Sequence, residues 1–305
     1  MSAETEKARI LSRTVPPEKD GRRVKSLLKS EFHMAEGYIA ALKLRCDGIL
    51  LNGERVHTDT RVRAGDELRV RVDDAGEGNP AEPIPVPLCV RYEDEDLAVI
   101  EKPAGMLVHA AEGKGGPTLA NALAARWGPD RPFHPVHRLD RGTSGLLVAA
   151  RSRYVSELLR RSLHTEDFIR EYTALAEGRL IPVQGQIELP LGPAEGERFR
   201  QCVREDGRPA VTAYKTLESL PDASMLRLRL YSGRTHQIRA HLAALGHPLV
   251  GDSFYGARTG TALGRPALHA AFLKLRHPIT GESLVFESPL PADLQEYWNG
   301  LRELT

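Results

Sequence analysis

The stretch HPVHRLDRGTSGLLVAA, residues 134–150, sets two histidines, two arginines and one carboxylate before a small-residue turn and an apolar run. Arg138, Asp140 and Arg141 crowd into one short segment. A carboxylate beside guanidinium groups is held in its charged form, which suits nucleophilic or electrostatic work better than acid catalysis. The run LLVAA reads as a buried strand, so the charged group stands at a strand's mouth. Taken alone, a structural turn with a surface ion pair remains the simpler account.

Other chemistries find less support. GKGGPT at 113–118 does not fit the phosphate-loop pattern GxxxxGK[ST]. A nucleophile elbow needs GxSxG, but Leu146 stands where its second glycine belongs. His134, His137 and Asp140 are evenly spaced, yet no HExxH or Cys/His pairing accompanies them, so no metal is expected. A glycosidase would need a second facing carboxylate tied to Asp140, and none is evident. Cys46, Cys89 and Cys202 are scattered and odd in number, which predicts isolated buried or half-buried thiols in a reducing cytosol. The N-terminus MSAETEKARI has no apolar leader, and no run approaches membrane-span length, so a cytoplasmic chain is expected.

The elements that must position Asp140 follow from periodicity. At 305 residues the chain is long for one domain, and 41% hydrophobic residues suffice for a packed core. Residues 1–20 are polar and predicted flexible. From 21 to 73 a compact unit is expected. RRVKSLLKSEF has helical spacing, ILLNGERV reads as a hairpin turning at Asn52-Gly53, and AGDELRVRV alternates like a half-buried strand. Arg22 to Arg71 holds eleven Lys/Arg against seven Asp/Glu, an excess of four where the whole chain has a net charge of +1. That excess fits either an ordinary solvated surface or a basic face for nucleic acid. Residues 74–87, rich in Gly, Pro and acid, are the predicted linker. From 88 to 305 strands and helices mix without regular alternation, against a doubly wound parallel sheet and for an α+β domain. RYVSELLRRSLHTEDF and THQIRAHLAALGHP are predicted helices, the second capped by Thr235.

Several separated segments resemble the RluA-type pseudouridine synthases, which isomerise uridine to pseudouridine in structured RNA. EKPAGMLVHA (101–110), HRLDRGTSGLLV (137–148), REYTALAEG (170–178) and GRTHQIRAHLAALGHPLVGDSFYG (233–256) match that family's motifs in order and spacing. GRPAVTAY (207–214) and LHAAFLKLRHP (268–278) also fit. The resemblance implies the pseudouridine synthase catalytic fold, with a central mixed, mainly antiparallel sheet. The N-terminal unit is similar to the small S-four-like RNA-binding module, named after a ribosomal protein, that often precedes this domain. The module turns the basic excess into an expected RNA-docking face.

The resemblance also assigns roles. Asp140 falls on the family's nucleophile, attacking ribose C1′, promoting a glycal, or attacking the uracil ring. Tyr172 matches the active-site Tyr that stacks on the flipped base and whose hydroxyl could help remove the C5 proton. Arg239 matches the Arg that pairs with the nucleophile, where a two-pronged grip is expected. Arg138 matches the Arg that fills the RNA stack when the uridine leaves. Arg234 and His236 are expected to support RNA binding near a helix N-terminus, and Leu268 is an apolar wall under the base. Arg170 departs from the family's usual Lys, and Arg141 has no assigned role. Because substrate and product are isomers, no cofactor, metal or energy source is implied. The expected partner is RNA, ribosomal or transfer, with no membrane, and the chain is expected to act as a monomer. The rival reading is a non-catalytic RNA-binding protein that keeps the fold, against which the joint presence of Asp140, Tyr172 and Arg239 argues.

Overall fold

A computed structural model describes residues 8–74, 81–110, 115–128, 131–197, 199–258 and 262–304. The N-terminal unit comprises β1 (Ile10–Thr14), α1 (Val24–Ser30), α2 (Glu36–Leu44), β2 (Ile49–Leu51), β3 (Glu54–Arg55) and β4 (Glu67–Arg71). Its strands pair antiparallel in the order β1-β4-β2-β3. Asn52 and Gly53 both adopt positive φ, 53° and 87°, the backbone a tight two-residue hairpin requires. Leu68 and Val70 of β4 point into the core with Val24, Leu27 and Leu28 of α1.

The larger unit carries β5 (Cys89–Glu93), β6 (Leu97–Lys102), α3 (Leu119–Trp127), β7 (His134–Pro135), β8 (Ser144–Ala150), α4 (Arg153–Ser162), β9 (Phe168–Glu177) and β10 (Gln184–Glu188). It continues through β11 (Leu191–Pro193), β12 (Gln201–Val203), β13 (Val211–Ser219), β14 (Ala223–Leu230), α5 (Gln237–Ala244), β15 (Leu268–Arg276), β16 (Ser283–Glu287) and α6 (Ala292–Glu303). Ten strands form one sheet along the path β10-β13-β14-β9-β15-β8-β6-β5, with β16 beside β15 and β7 beside β8. Every pairing is antiparallel except β15 with β8. The expected α+β class with a mixed, mainly antiparallel sheet is what the chain adopts. All seven residues of β8 are buried, which explains its unbroken apolar run.

The two units share one core. Leu28, Phe32, Tyr38 and Leu42 of the first pack in the same cluster as Leu97, Val99, Val148 and Tyr154 of the second. The Tyr154 hydroxyl donates to the Phe32 carbonyl at 2.7 Å, and Arg9 grips Asp96 through Nε and Nη2 at 3.0 and 2.8 Å.

Two local expectations, the flexible N-terminus and the buried or half-buried thiols, need correction. Of the N-terminus predicted flexible, residues 1–7 lie outside the described residues, but Ile10–Thr14 is a strand on β4, because its backbone completes that strand's free edge. Of the predicted linker, residues 75–80 lie outside the described residues; Ala81–Leu88 has neither helix nor strand, as its prolines dictate. Cys46 and Cys89 are exposed, and Cys202 is half-buried.

Candidate active site

Asp140 sits on the turn entering β8. The turn is anchored from below. Gly105 N–H donates to the Arg141 carbonyl at 2.7 Å, and Arg141 Nε donates back to the Gly105 carbonyl at 2.9 Å. Arg141, unassigned from sequence, therefore ties two loops together. Lys102, fully buried, donates through Nζ to the carbonyls of Pro103 and Met106 at 2.9 Å and of Arg141 at 3.4 Å. Burial lowers its ammonium to about 8, against the opposing pull of Asp140. Gly145 explains the glycine after Ser144. A Cβ there would lie 2.3 Å from the Ala270 carbonyl oxygen, so only glycine lets β8 and β15 pair this closely.

Arg239 Nη1 lies 3.4 Å from Asp140 Oδ2, and His236 Nε2 lies 3.9 Å from the same oxygen. The two-pronged grip expected on Asp140 is elsewhere. Arg239 Nε and Nη2 donate to Asp252 Oδ2 and Oδ1 at 2.6 and 2.8 Å, so Asp140 receives only the remaining nitrogen. Asp252 is 1% exposed and was not singled out from sequence. Its sequence signal is its place in VGDSFYG, at the end of the 233–256 segment that resembles the family's motif. The guanidinium also stacks over the Tyr255 ring at 4.9 Å.

The predicted Thr235 cap is not formed. His236 is the cap residue of α5, in a left-handed conformation with φ 53° and no side-chain cap bond. Gln237 instead braces the turn before the helix: its Oε1 accepts from Arg234 N–H at 3.0 Å and Ser232 Oγ at 2.8 Å. Its Nε2 donates to Val211 O and Thr212 Oγ1. This buried amide, also missed from sequence, shapes the Gly233–Arg234 turn. His236 Nδ1 meets the Tyr255 hydroxyl at 3.1 Å.

One cleft of about 50 Å³ is lined by Arg138, Asp140, Tyr172, Arg234, His236, Arg239 and Leu268, among others. All seven site residues expected from sequence are therefore brought together. Tyr172 is buried, and burial raises its phenol above the usual range. Arg138 is exposed at the rim. The larger cavity, about 410 Å³ around His109, Asn121 and Phe133, holds none of these groups.

The histidines of the motif take structural places. His137 is buried; burial first and the Arg170 charge next push it well below its usual range, and its Nε2 accepts from Val148 N–H. His134 Nε2 lies 2.9 Å from Asp74. Among the described residues one group, Asp94, Asp96 and His277, has the spacing of metal ligands. Its oxygens are already taken. Asp94 accepts from Tyr92 Oη and from Asp96 and Leu97 N–H and faces His277 Nε2 at 2.9 Å, while Asp96 is held by Arg9. That network braces the fold and fits a metal poorly.

The chain is similar to known proteins. A family model described as RNA pseudouridylate synthase matches residues 96–244. A ribosomal large subunit pseudouridine synthase D of Xanthomonas campestris is 36% identical, with 95% of this chain and 92% of that protein covered. The chain belongs to the RNA pseudouridine synthases. A second synthase D, from Vibrio parahaemolyticus, is 38% identical over 84% of both chains, as is the Bacillus subtilis RNA pseudouridine synthase YlyB over 84% of this chain and 86% of its own. The solved structure of human RNA Pseudouridylate Synthase Domain Containing 1 superposes with a TM-score of 0.56 at 27% identity, covering 71% of this synthase and 95% of that chain. The enzyme is thus an isomerase that makes pseudouridine in RNA.

Proposed function

We propose that this synthase modifies uridines of large-subunit ribosomal RNA, with Asp140 as nucleophile and without a cofactor. The convergence of Asp140, Tyr172, Arg239 and Leu268 on one cleft carries this reading. The ribosomal substrate is favoured by the relatives named for it, which match most of the chain. In the reaction the N1–C1′ bond breaks, the uracil turns, and a C5–C1′ bond forms while C5 loses a proton and N1 gains one. Atoms and electrons balance within the nucleoside and water, so neither oxidant nor energy source is needed. Attack at C1′, glycal formation and attack on the ring all begin from the same carboxylate.

Arg239, fixed by Asp252, offers one nitrogen to Asp140 and leaves the other carboxylate oxygen uncommitted. Tyr172 supplies a ring for the flipped base to stack on. Its raised phenol keeps its proton at neutral pH, which favours stacking over action as a phenolate base. Leu268 walls the cleft, and Arg138, exposed at its rim, fills the gap in the RNA stack. Arg234 and His236 hold the RNA near the base. Residues 21–73 act as an S-four-like docking unit for RNA and 88–305 as the catalytic domain, working as a cytoplasmic monomer. Among the described residues no helix is long and apolar enough to cross a membrane.

The test is release of tritium from C5-tritiated uridine in a large-subunit ribosomal RNA transcript. The wild-type chain should release it as water without strand cleavage or free uracil. Asp140→Asn should bind the transcript normally and release none; retained turnover would remove Asp140 from the nucleophile's role.

A further inference from the structure

Many arginines of this fold have a carboxylate partner: Arg71, Arg126, Arg229, Arg265 and Arg302 are examples. Arg170 does not. It is 6% exposed, and its Nε and Nη2 are sealed from solvent without any hydrogen-bond partner. Burying a guanidinium unpaired is costly, and such a group calls for an explanation.

Its position supplies one. Arg170 lies two residues before Tyr172 on β9, so both side chains stand on the same face of the sheet. Across it runs the Gly233–Arg234 turn. A Cβ built on Gly233 would lie 3.9 and 4.0 Å from the two terminal nitrogens, and no side chain stands there. Arg234, next along, lines the base cleft and has no carboxylate partner among the described residues. His164 is lowered first by burial and then by the charges of Arg170 and Arg234.

We propose that Arg170 and Arg234 form a phosphodiester-binding site beside the base cleft, which holds the RNA backbone next to the extruded uridine. A phosphate entering past Gly233 reaches Nη1 and supplies the anion that the protein withholds. This rests on the RNA reading above and adds the backbone group that the enzyme grips there. Guanidinium is suited to it, being planar and forked toward phosphate oxygens.

The test compares the full chain with R170M and R170K on the large-subunit ribosomal RNA transcript. For R170M the slope of log Kd against log salt should shrink by about one unit. Its affinity at 0.15 M salt should fall roughly tenfold, the loss expected for one charge-assisted contact. R170K should restore the slope. A full slope in R170M, with slower turnover and a shifted alkaline limb, would place Arg170 at the Tyr172 phenol and overturn the site. Phosphate-ethylation interference on the wild-type enzyme asks the same question without substitution: the site requires one interfering phosphate adjoining the target uridine, and its absence overturns it. Tritium release by the wild-type chain separates the two readings. Release with an unchanged slope defeats only the phosphate site, whereas no release defeats the function it rests on.

Discussion

Replacing Asp252 by Asn asks how Arg239 is divided between two carboxylates. Asp252 takes the Nε and Nη2 prongs at 2.6 and 2.8 Å in a site 1% exposed, while Asp140 Oδ2 stands 3.4 Å from Nη1. Asn keeps the shape, removes the charge and turns an amide donor toward one guanidinium nitrogen. Removing one partner of a buried ion pair costs about 3–5 kcal/mol, which lowers Tm by on the order of 10 °C in a chain of this size. Part of that cost is recovered if the guanidinium swings onto Asp140. A second charged hydrogen bond to Asp140, worth about 1.5–3 kcal/mol, must then be released before this carboxylate can act as the proposed nucleophile. Single-turnover tritium release at saturating transcript should slow roughly ten- to a hundredfold, with Kd for the RNA unchanged. In an Asp140→Asn background the swing has no charged target, so Asp252→Asn should cost more stability there than in the wild type. Equal costs in both backgrounds, or an unchanged single-turnover rate, would refute the division of Arg239.

Two further outcomes follow from neighbouring features. Lys102 has a folded value of about 8, below that of an exposed lysine near ~10.4, so the unfolded chain holds its proton longer. Stability should therefore rise between those pH values, by up to ~1.4 kcal/mol per unit, while turnover falls as the turn beneath Asp140 loses a donor. Melting and rate profiles should diverge in that window, and K102M should flatten both; parallel profiles would count against the anchoring role. Leu28→Ala, in the core shared by both units, should cost about 2–5 kcal/mol and lower a single unfolding transition. Two separate calorimetric transitions would show that the units melt apart.

The groups proposed for the site were legible because each sits in a short segment that resembles the family's motifs: Arg138 and Asp140 on one turn, Tyr172 on an alternating strand, Arg239 on a helix. What holds them was not. Asp252 reaches Arg239 through the turn after α5, and nothing in one-dimensional spacing separates a buried fork from a surface acid. Lys102 reads as the polar end of a strand until the 103–106 loop closes over it. Thr235 is a reasonable cap by residue type, but His236 takes the cap position in a left-handed conformation. The short ILSRT strand is mostly exposed, so its pairing comes from the open edge of β4 rather than from its own hydrophobicity.

The core that joins the two units also governs reach. A module on a loose tether would sweep an arc and offer Asp140 any uridine within it. Here Phe32, Tyr38 and Leu42 are packed into the same cluster as Tyr154 and Val148, so the N-terminal unit and the Asp140 turn keep a set offset. With RNA held on the docking face proposed for residues 21–73, the enzyme behaves as a caliper, and target choice becomes a matter of RNA shape at a given span. The exposed thiols of Cys46 and Cys89, one in each unit, offer ready attachment points for measuring that span.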